Sequence, residues 1–420
     1  MTPNDRTVQT AGFALIALFI LAYGLISRRI ENTMITPPMV FVGFGILICE
    51  SFTGAFPVDA ESPIIHFIAE LTLILVLFTD ASQIDLRKLI RDHRIPVRLL
   101  TIGLRLTILG GTLVAAVTIA GLTFWEGAVL AAILAPTDAA LGQAVVSSPR
   151  VPERIRQALN VESGLNDGIA LPVVLVAICL AAAGNHDETA AHWLQFAAIQ
   201  VALGPVAGIA VGYIGGWLMT RASKAGWMNH AFQQLAALGL SLLAFAGAEL
   251  IGGNGFIAAF CAGLTVGNSA RGICPCLVEF AEAEGQLLTL ITFMIFGALL
   301  VPAAIPHADW TVWLYAGLSL TIVRMIPCAI SLLGMREGWR TNLFVGWFGP
   351  RGIASILFGL IVLEEVELGH GETLFAVVII TVLCSVVLHG LSSVPGAVWY
   401  GGAGPTDDAA GGGIPAAPAK

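Results

Sequence analysis

The chain has 420 residues, of which 57% are hydrophobic and only 11% charged, and its formal net charge is −8. Soluble globular chains carry about 25% charged residues, so the composition excludes a soluble domain and puts most of the mass in lipid. The acidic balance, with no basic stripe along it, excludes a nucleic-acid partner.

About 20 apolar residues are needed to cross a bilayer. Windows of that kind fall at 11–27, 34–50, 62–79, 98–121, 125–148, 157–182, 192–220, 229–250, 253–270, 284–303, 309–334, 341–362 and 372–395, thirteen in all. The first is followed by Arg28 and Arg29 rather than preceded by a basic region, so it reads as a membrane span and not as a signal peptide.

Basic residues sort by loop. Arg28 and Arg29 follow the first span; Arg87, Lys88, Arg91, Arg94 and Arg98 the third; Arg150, Arg154 and Arg156 the fifth. Arg221 and Lys224 follow the seventh, Arg271 the ninth, and Arg336 and Arg340 the eleventh. Loops after the even-numbered spans, such as GNHDETAAH and EEVELGHGE, hold no lysine or arginine. The positive-inside rule then sets the N-terminus outside and the C-terminus in the cytoplasm. Residues 1–400 form one membrane domain, and the Gly/Pro/Ala-rich stretch 401–420 is expected to be a short disordered cytoplasmic tail. The seven cysteines are scattered. Cys274 and Cys276 form a C-P-C without a partner pair, so reduced, small core residues are expected rather than a metal site.

Two spans carry a proline beside an ionised residue: ILAPTDAAL in the fifth, with Pro136, Thr137 and Asp138, and WFGPRGIAS in the twelfth, with Pro350 and Arg351. Each proline removes a helical hydrogen bond. Spans 1–6 start outside and spans 8–13 inside, so the second six can repeat the first six upside down, and the fifth then corresponds to the twelfth. Interrupted helices at matching places of inverted repeats point to the midplane site of a secondary transporter. Asp138 and Arg351 are suited to balance the half-helix charges there.

The sixth span holds LNVESGLNDGIALP. At 100° per residue, Glu162, Asn166, Ser163 and Asp167 share an arc of about 140°. Asp167 lies roughly 15 Å along the helix from Arg156 at the cytoplasmic edge. A charge at that depth costs at least about 2.5–3.5 kcal/mol, and intramembrane carboxylates are functional by default. Further acids come from Glu70 and Asp80 in the third span and Glu249 at the end of the eighth. Against them stand Arg324 in the eleventh span and Arg351. A buried guanidinium needs a carboxylate partner. Arg105, near the cytoplasmic face, can snorkel out.

The motifs APTDAAL, NVESGLNDGIALP, GGNGFIAAFCAGLTVGN and GWFGPRGIAS together resemble the monovalent cation/proton antiporter family, in particular the NhaP-type sodium/proton antiporters, kin of the eukaryotic sodium/proton exchangers. The likeness covers spans 3–13. It implies thirteen helices in two inverted six-helix repeats, a bacterial inner membrane and a homodimer. By the resemblance, Asp167 binds the cation or the proton, and Na⁺ sits at Asp138, Asp167, Ser163 and Thr137, the last through its backbone carbonyl. Asp80 contributes through or near a bound water. Asn166 braces the crossing, Glu162 pairs with Arg324, and Arg351 serves the break of the twelfth span. Ala139 stands where many relatives have proline.

Na⁺ is a hard cation suited to carboxylate, hydroxyl and carbonyl oxygens. If one carboxylate takes either the cation or the proton, and only loaded forms reorient, exchange is obligatory. Asn166 cannot titrate, where relatives with a second aspartate are electrogenic, so the exchange is expected to be one for one. No cofactor is expected beyond the transported ions. The alternatives are K⁺/H⁺ exchange on the same fold, a cation channel, and an intramembrane aspartyl protease using Asp138 and Asp167. The protease signature G-x-G-D is absent.

Overall fold

The computed structural model describes residues 3–30, 33–49, 63–87, 94–138, 141–183, 190–270, 285–335, 337–365 and 369–402. Lys88, Arg91, Arg271, Arg336, Ala139, Cys274, Cys276 and nearly all of the tail lie outside these. The described residues are helical almost throughout, with no strand among them. That follows from the composition, since in lipid a backbone amide or carbonyl must find its partner inside its own helix or against other protein.

The first half runs through α1 (Pro3–Ile30), α2 (Pro37–Ile48), α3 (Pro63–Gln83), α4 (Arg94–Arg98), α5 (Leu104–Thr118), α6 (Phe124–Ile133), α7 (Gln143–Val146) and α8 (Glu153–Ala183). After α9 (Ala190–Lys224) come α10 (His230–Glu249), α11 (Gly255–Ser269), α12 (Gln286–Ile295), α13 (Val301–Ala304), α14 (Trp310–Leu320), α15 (Ile322–Ser331), α16 (Trp339–Trp347), α17 (Ile353–Glu365) and α18 (Gly371–Gly401). A π-turn, Leu99–Gly103, joins α4 to α5, and another, Phe296–Leu300, joins α12 to α13. Among the described residues seven stretches are long and apolar enough to cross a membrane, while α2, α6 and α11 are apolar but shorter. Thirteen apolar windows exceed seven such stretches partly because two windows, 125–148 and 341–362, hold helices that are cut in the middle.

Helix starts follow ordinary capping rules. Thr123 and Glu126 form a reciprocal capping box on α6, Asn254 caps α11 and Asp309 caps α14. Each side-chain oxygen takes up an amide that has no partner within the helix.

Small residues decide the packing, as expected where lipid is as apolar as the helices and close backbone approach supplies the contact energy. A Cβ added to Gly263 or Gly267 of α11 would run into the carbonyl oxygens of Phe78 and Ser82 on α3. On the other side of α11, Gly208 and Gly212 of α9 are pressed in the same way onto Ala258 and Ala262. A second contact of the first kind joins α2 to the segment around α12: Gly45 abuts the Met294 carbonyl, and Gly297 the Val42 carbonyl. In the inverted-repeat scheme spans 2 and 10 take the places of spans 9 and 3. The two glycine contacts are therefore the same contact made twice, once in each orientation. α1, by contrast, leaves Leu18, Leu21 and Leu25 exposed.

Candidate functional site

The site grows from the two cut spans. α6 ends at Ile133 and the chain continues non-helically to Asp138; α16 ends at Trp347 and α17 begins at Ile353. The two unwound stretches cross, and Asp138 N donates to the Pro350 carbonyl at 2.8 Å. Asp138 Oδ2 accepts the Ile353 amide at 2.8 Å, at the positive start of α17. Arg351 Nη1 donates to the carbonyls of Ala135 and Pro136, the latter at 2.9 Å, just past the negative end of α6. Carboxylate at an N-terminus and guanidinium at a C-terminus are the favourable placements. Ser355 Oγ adds a bond to the Ile133 carbonyl at 2.8 Å. Any side chain at Gly352 would collide with the Asp138 carboxylate, so glycine is required for the close approach. Arg351 thus serves the break of the fifth span rather than that of its own, because its fully buried guanidinium finds its acceptors across the crossing.

α18 backs the second break. Ser385 Oγ accepts the Arg351 amide at 2.7 Å. His389 Nε2 lies 2.9 Å from the Trp347 carbonyl, and His389 Nδ1 lies 3.1 Å from Ser385 Oγ. Donation from Nε2 to the Trp347 carbonyl goes with acceptance of the Ser385 hydroxyl at Nδ1, which lies 3.0 Å from the Ser385 carbonyl as well. Ser355, Ser385 and His389 are site-supporting residues that the sequence reasoning passed over. The one trace in the sequence is a histidine one turn after a serine in the apolar run CSVVLHG, which by itself assigns neither residue a task.

α8 brings the polar cluster to the same place, and Glu162, Ser163, Asn166 and Asp167 are all buried. Asn166 Nδ2 donates to Thr137 Oγ1 at 2.7 Å, and Thr137 Oγ1 lies 3.0 Å from Ser163 Oγ. Glu162 leaves in another direction, with Oε1 2.6 Å from Arg324 Nη1 on α15. The remaining Arg324 nitrogens, Nε and Nη2, face Gly349 so closely that a Cβ there would strike them. Gly168 of α8 likewise leaves room for the Phe260 ring. Asp167 feels the charges of both Asp80 and Asp138. Its Oδ1 and the Oδ1 of Asn166 are buried and accept no hydrogen bond among the described residues.

Other expectations fall elsewhere. Glu70 and Glu249 line a separate cavity of about 200 Å³ with Gln200 and Asn254, and Glu249 Oε1 accepts the Gly255 amide at 2.7 Å. Arg105 is exposed. Among the described residues no three His, Cys, Asp or Glu side chains converge as a metal centre. The oxygens at the crossing are instead a mixed set of carboxylate, hydroxyl and amide, the hard donors of an alkali cation.

Two broken helices that cross with a partly buried carboxylate, Asp138, and a fully buried guanidinium, Arg351, at their gaps define a secondary transporter of the inverted-repeat class. The family model described as "Sodium/hydrogen exchanger, transmembrane" matches residues 14–399. The chain belongs to this sodium/hydrogen exchanger family, and the relatives it resembles are named as NhaP-type antiporters. The K⁺/H⁺ antiporter NhaP of Alkalimonas amylolytica is 28% identical over 95% of this chain and 67% of its own length. The K⁺/H⁺ antiporter NhaP2 of Shewanella sp. (strain MR-4) is 25% identical over 90% of this chain and 65% of its own. The chain thus spans about two thirds of the length of these relatives. The solved sodium/proton antiporter MjNhaP1 of Methanocaldococcus jannaschii shares the fold, with a TM-score of 0.77 over 94% of this chain and all of that one at 20% identity. These relatives are transporters, and the protease alternative falls away.

Proposed function

We propose that the chain exchanges Na⁺ for H⁺, one for one, by alternating access, with cation and proton competing for Asp167. The observation that carries this is the state of Asp167: a buried carboxylate with one oxygen that accepts no hydrogen bond among the described residues, near two further acids and beside the crossing of two broken helices. Such a group is stabilised by whichever positive species arrives. Thr137, Ser163, Asp138 and Asp80 supply neighbouring oxygens, Asn166 holds Thr137, and the Glu162–Arg324 pair and Arg351 support the frame. Asn166 leaves a single titrating group at that pair of positions, which makes the cycle electroneutral.

In this reading thirteen spans cross a bacterial inner membrane, with the N-terminus outside, and two copies associate. The exposed leucines of α1 are a surface that lipid or a second copy covers. Exchange of K⁺ for H⁺ is the second reading, favoured by relatives named K⁺/H⁺ antiporters. Proton flux in everted vesicles on adding NaCl, LiCl or KCl ranks the cations. Asp167→Asn abolishes the flux; unchanged flux in that variant defeats the proposal.

A further inference from the structure

The stretch GGNGFIAAFCAGLTVGN builds α11 and supplies none of the polar groups at the crossing. It carries an asparagine at each end: Asn254 caps the start of the helix, and Asn268 reaches out of its last turn. Asn268 Nδ2 donates to the Ile84 carbonyl and to the Leu264 carbonyl, each at 2.8 Å. Its Oδ1 accepts the Leu86 amide at 3.0 Å. Two donations and one acceptance from a single short planar group are what a carboxamide supplies.

Ile84 is the first residue past α3, where a helix leaves its last carbonyls without partners. Asn268 therefore closes the end of α3 from a neighbouring helix. Two more ties precede it, since Gly263 admits the Phe78 carbonyl and Gly267 the Ser82 carbonyl. Asp80 lies between those two, about 200° round the helix from Phe78, on the side of α8. There a Cβ on Gly164 would come 3.3 Å from the Ile84 side chain and 3.8 Å from the Asp80 carbonyl. Asp80 acts electrostatically with both Asp138 and Asp167. It stands in the last turn of α3, the part of a helix that frays when its end is not held.

We propose that Asn268 is a positioning residue for the exchange: by holding Ile84 and Leu86 it fixes the last turn of α3, and with it the place of the Asp80 carboxylate beside Asp138 and Asp167. The inference rests on the exchange reading above. It adds a control on cation affinity lodged on a helix outside the crossing. Without Asn268 the carboxylate remains but its turn is no longer held, so cation affinity falls while reorientation of the crossing persists.

The test reads half-saturating NaCl in two ways: from Na⁺-driven proton flux in proteoliposomes, and from the rise in melting temperature that NaCl gives the detergent-solubilised protein. Asn268→Ala is expected to raise both values about fivefold, as a lost hydrogen bond of ordinary strength would, with maximal flux close to wild type. Asn254→Ala removes the asparagine cap at the other end of the same helix. It should lower the melting temperature and leave both values near wild type. Asn268→Ala/Asp80→Asn should match Asp80→Asn alone, since a residue acting through Asp80 adds nothing once that carboxylate is gone. Three results each overturn the positioning role and leave the exchange reading standing: unchanged half-saturating NaCl in Asn268→Ala, an equal rise in Asn254→Ala, or a full further rise in the double variant. Should Asn268→Ala fail to fold, Asn268→Asp takes its place with the same expectation, because it keeps the acceptor for Leu86 but sets a carboxylate against the Ile84 carbonyl. A wild-type protein that responds to none of NaCl, LiCl and KCl overturns the exchange reading, and this proposal with it.

Discussion

Arg324 Nη1 lies 2.6 Å from Glu162 Oε1, both side chains being 3% exposed. An ion pair so deeply buried contributes little net stability, yet removing one member leaves a stranded charge, at a cost of about 3–5 kcal/mol. Arg324→Leu and Glu162→Gln are each expected to lower the melting temperature of the detergent-solubilised protein strongly. The double variant should lose less than the two single losses added together. Additive losses would mean that the pair is not a unit.

Arg351 stands on a different footing, because its acceptors are backbone carbonyls. Arg351→Met deprives Ala135 and Pro136 of their donor, at about 1–3 kcal/mol for each buried group left unpaired. Arg351→Lys keeps the charge but loses the planar fork and should fall between. Thermal melts of the three proteins order as wild type, lysine, methionine. A methionine variant as stable as wild type would deny the capping role.

Gly352 tests the crossing by shape. An added methyl group would occupy the space of the Asp138 carboxylate, so Gly352→Ala must push Asp138 off the Ile353 amide. The expected outcome is loss of most cation-driven flux. The same change at Gly239, around which nothing lies within 4 Å, should leave flux near wild type.

Asn166→Asp adds a second carboxylate where the amide now blocks titration. Exchange should then carry net charge and respond to an imposed potential, with the wild type indifferent to it. Proteoliposomes clamped with K⁺ and valinomycin read this directly, and a potential-dependent wild-type stoichiometry would refute the one-for-one reading.

Between the apolar helices Gln286–His307 and Trp310–Ser331, Asp309 accepts bonds from the Thr311 hydroxyl at 2.6 Å and from the Val312 amide at 3.1 Å. These hold its carboxyl below the ordinary carboxylate value. Because the folded value is depressed, the contribution is present above the ordinary carboxylate range and is lost as pH falls through the lowered value. Asp309→Ala should therefore melt about 1–2 °C below wild type at neutral pH, and the difference should close in acid.

The sequence carried most of this site because its pieces are chemically conspicuous. Two prolines beside charges, and four polar residues in one arc of an apolar span, have few uses in lipid. The cost of a buried guanidinium called for a carboxylate partner, and the family resemblance pointed Glu162 to Arg324. What stayed hidden depends on crossing geometry. That Arg351 serves the opposite break, and that Asp138 caps a helix beginning at Ile353, cannot be read from periodicity, which is blind to how two chain segments pass each other. Ser385 and His389 were hidden for another reason: each fits an apolar helix as an isolated polar residue, and only the Arg351 amide and the Trp347 carbonyl give them a task. Glu249 erred in the other direction, an acid at a span's end whose oxygen closes a loop onto Gly255.

The mutual capping at the crossing also governs how the molecule can be made. Asp138 finds the Ile353 amide 215 residues later in the chain, and the carbonyls of Ala135 and Pro136 wait as long for Arg351. Until the second half has been synthesised, the first half holds an unsatisfied polar seam at mid-membrane, which lipid cannot solvate. Neither half is a finished object without the other. The crossing is therefore complete only when both halves are present, because each supplies the partners of the other's broken helix.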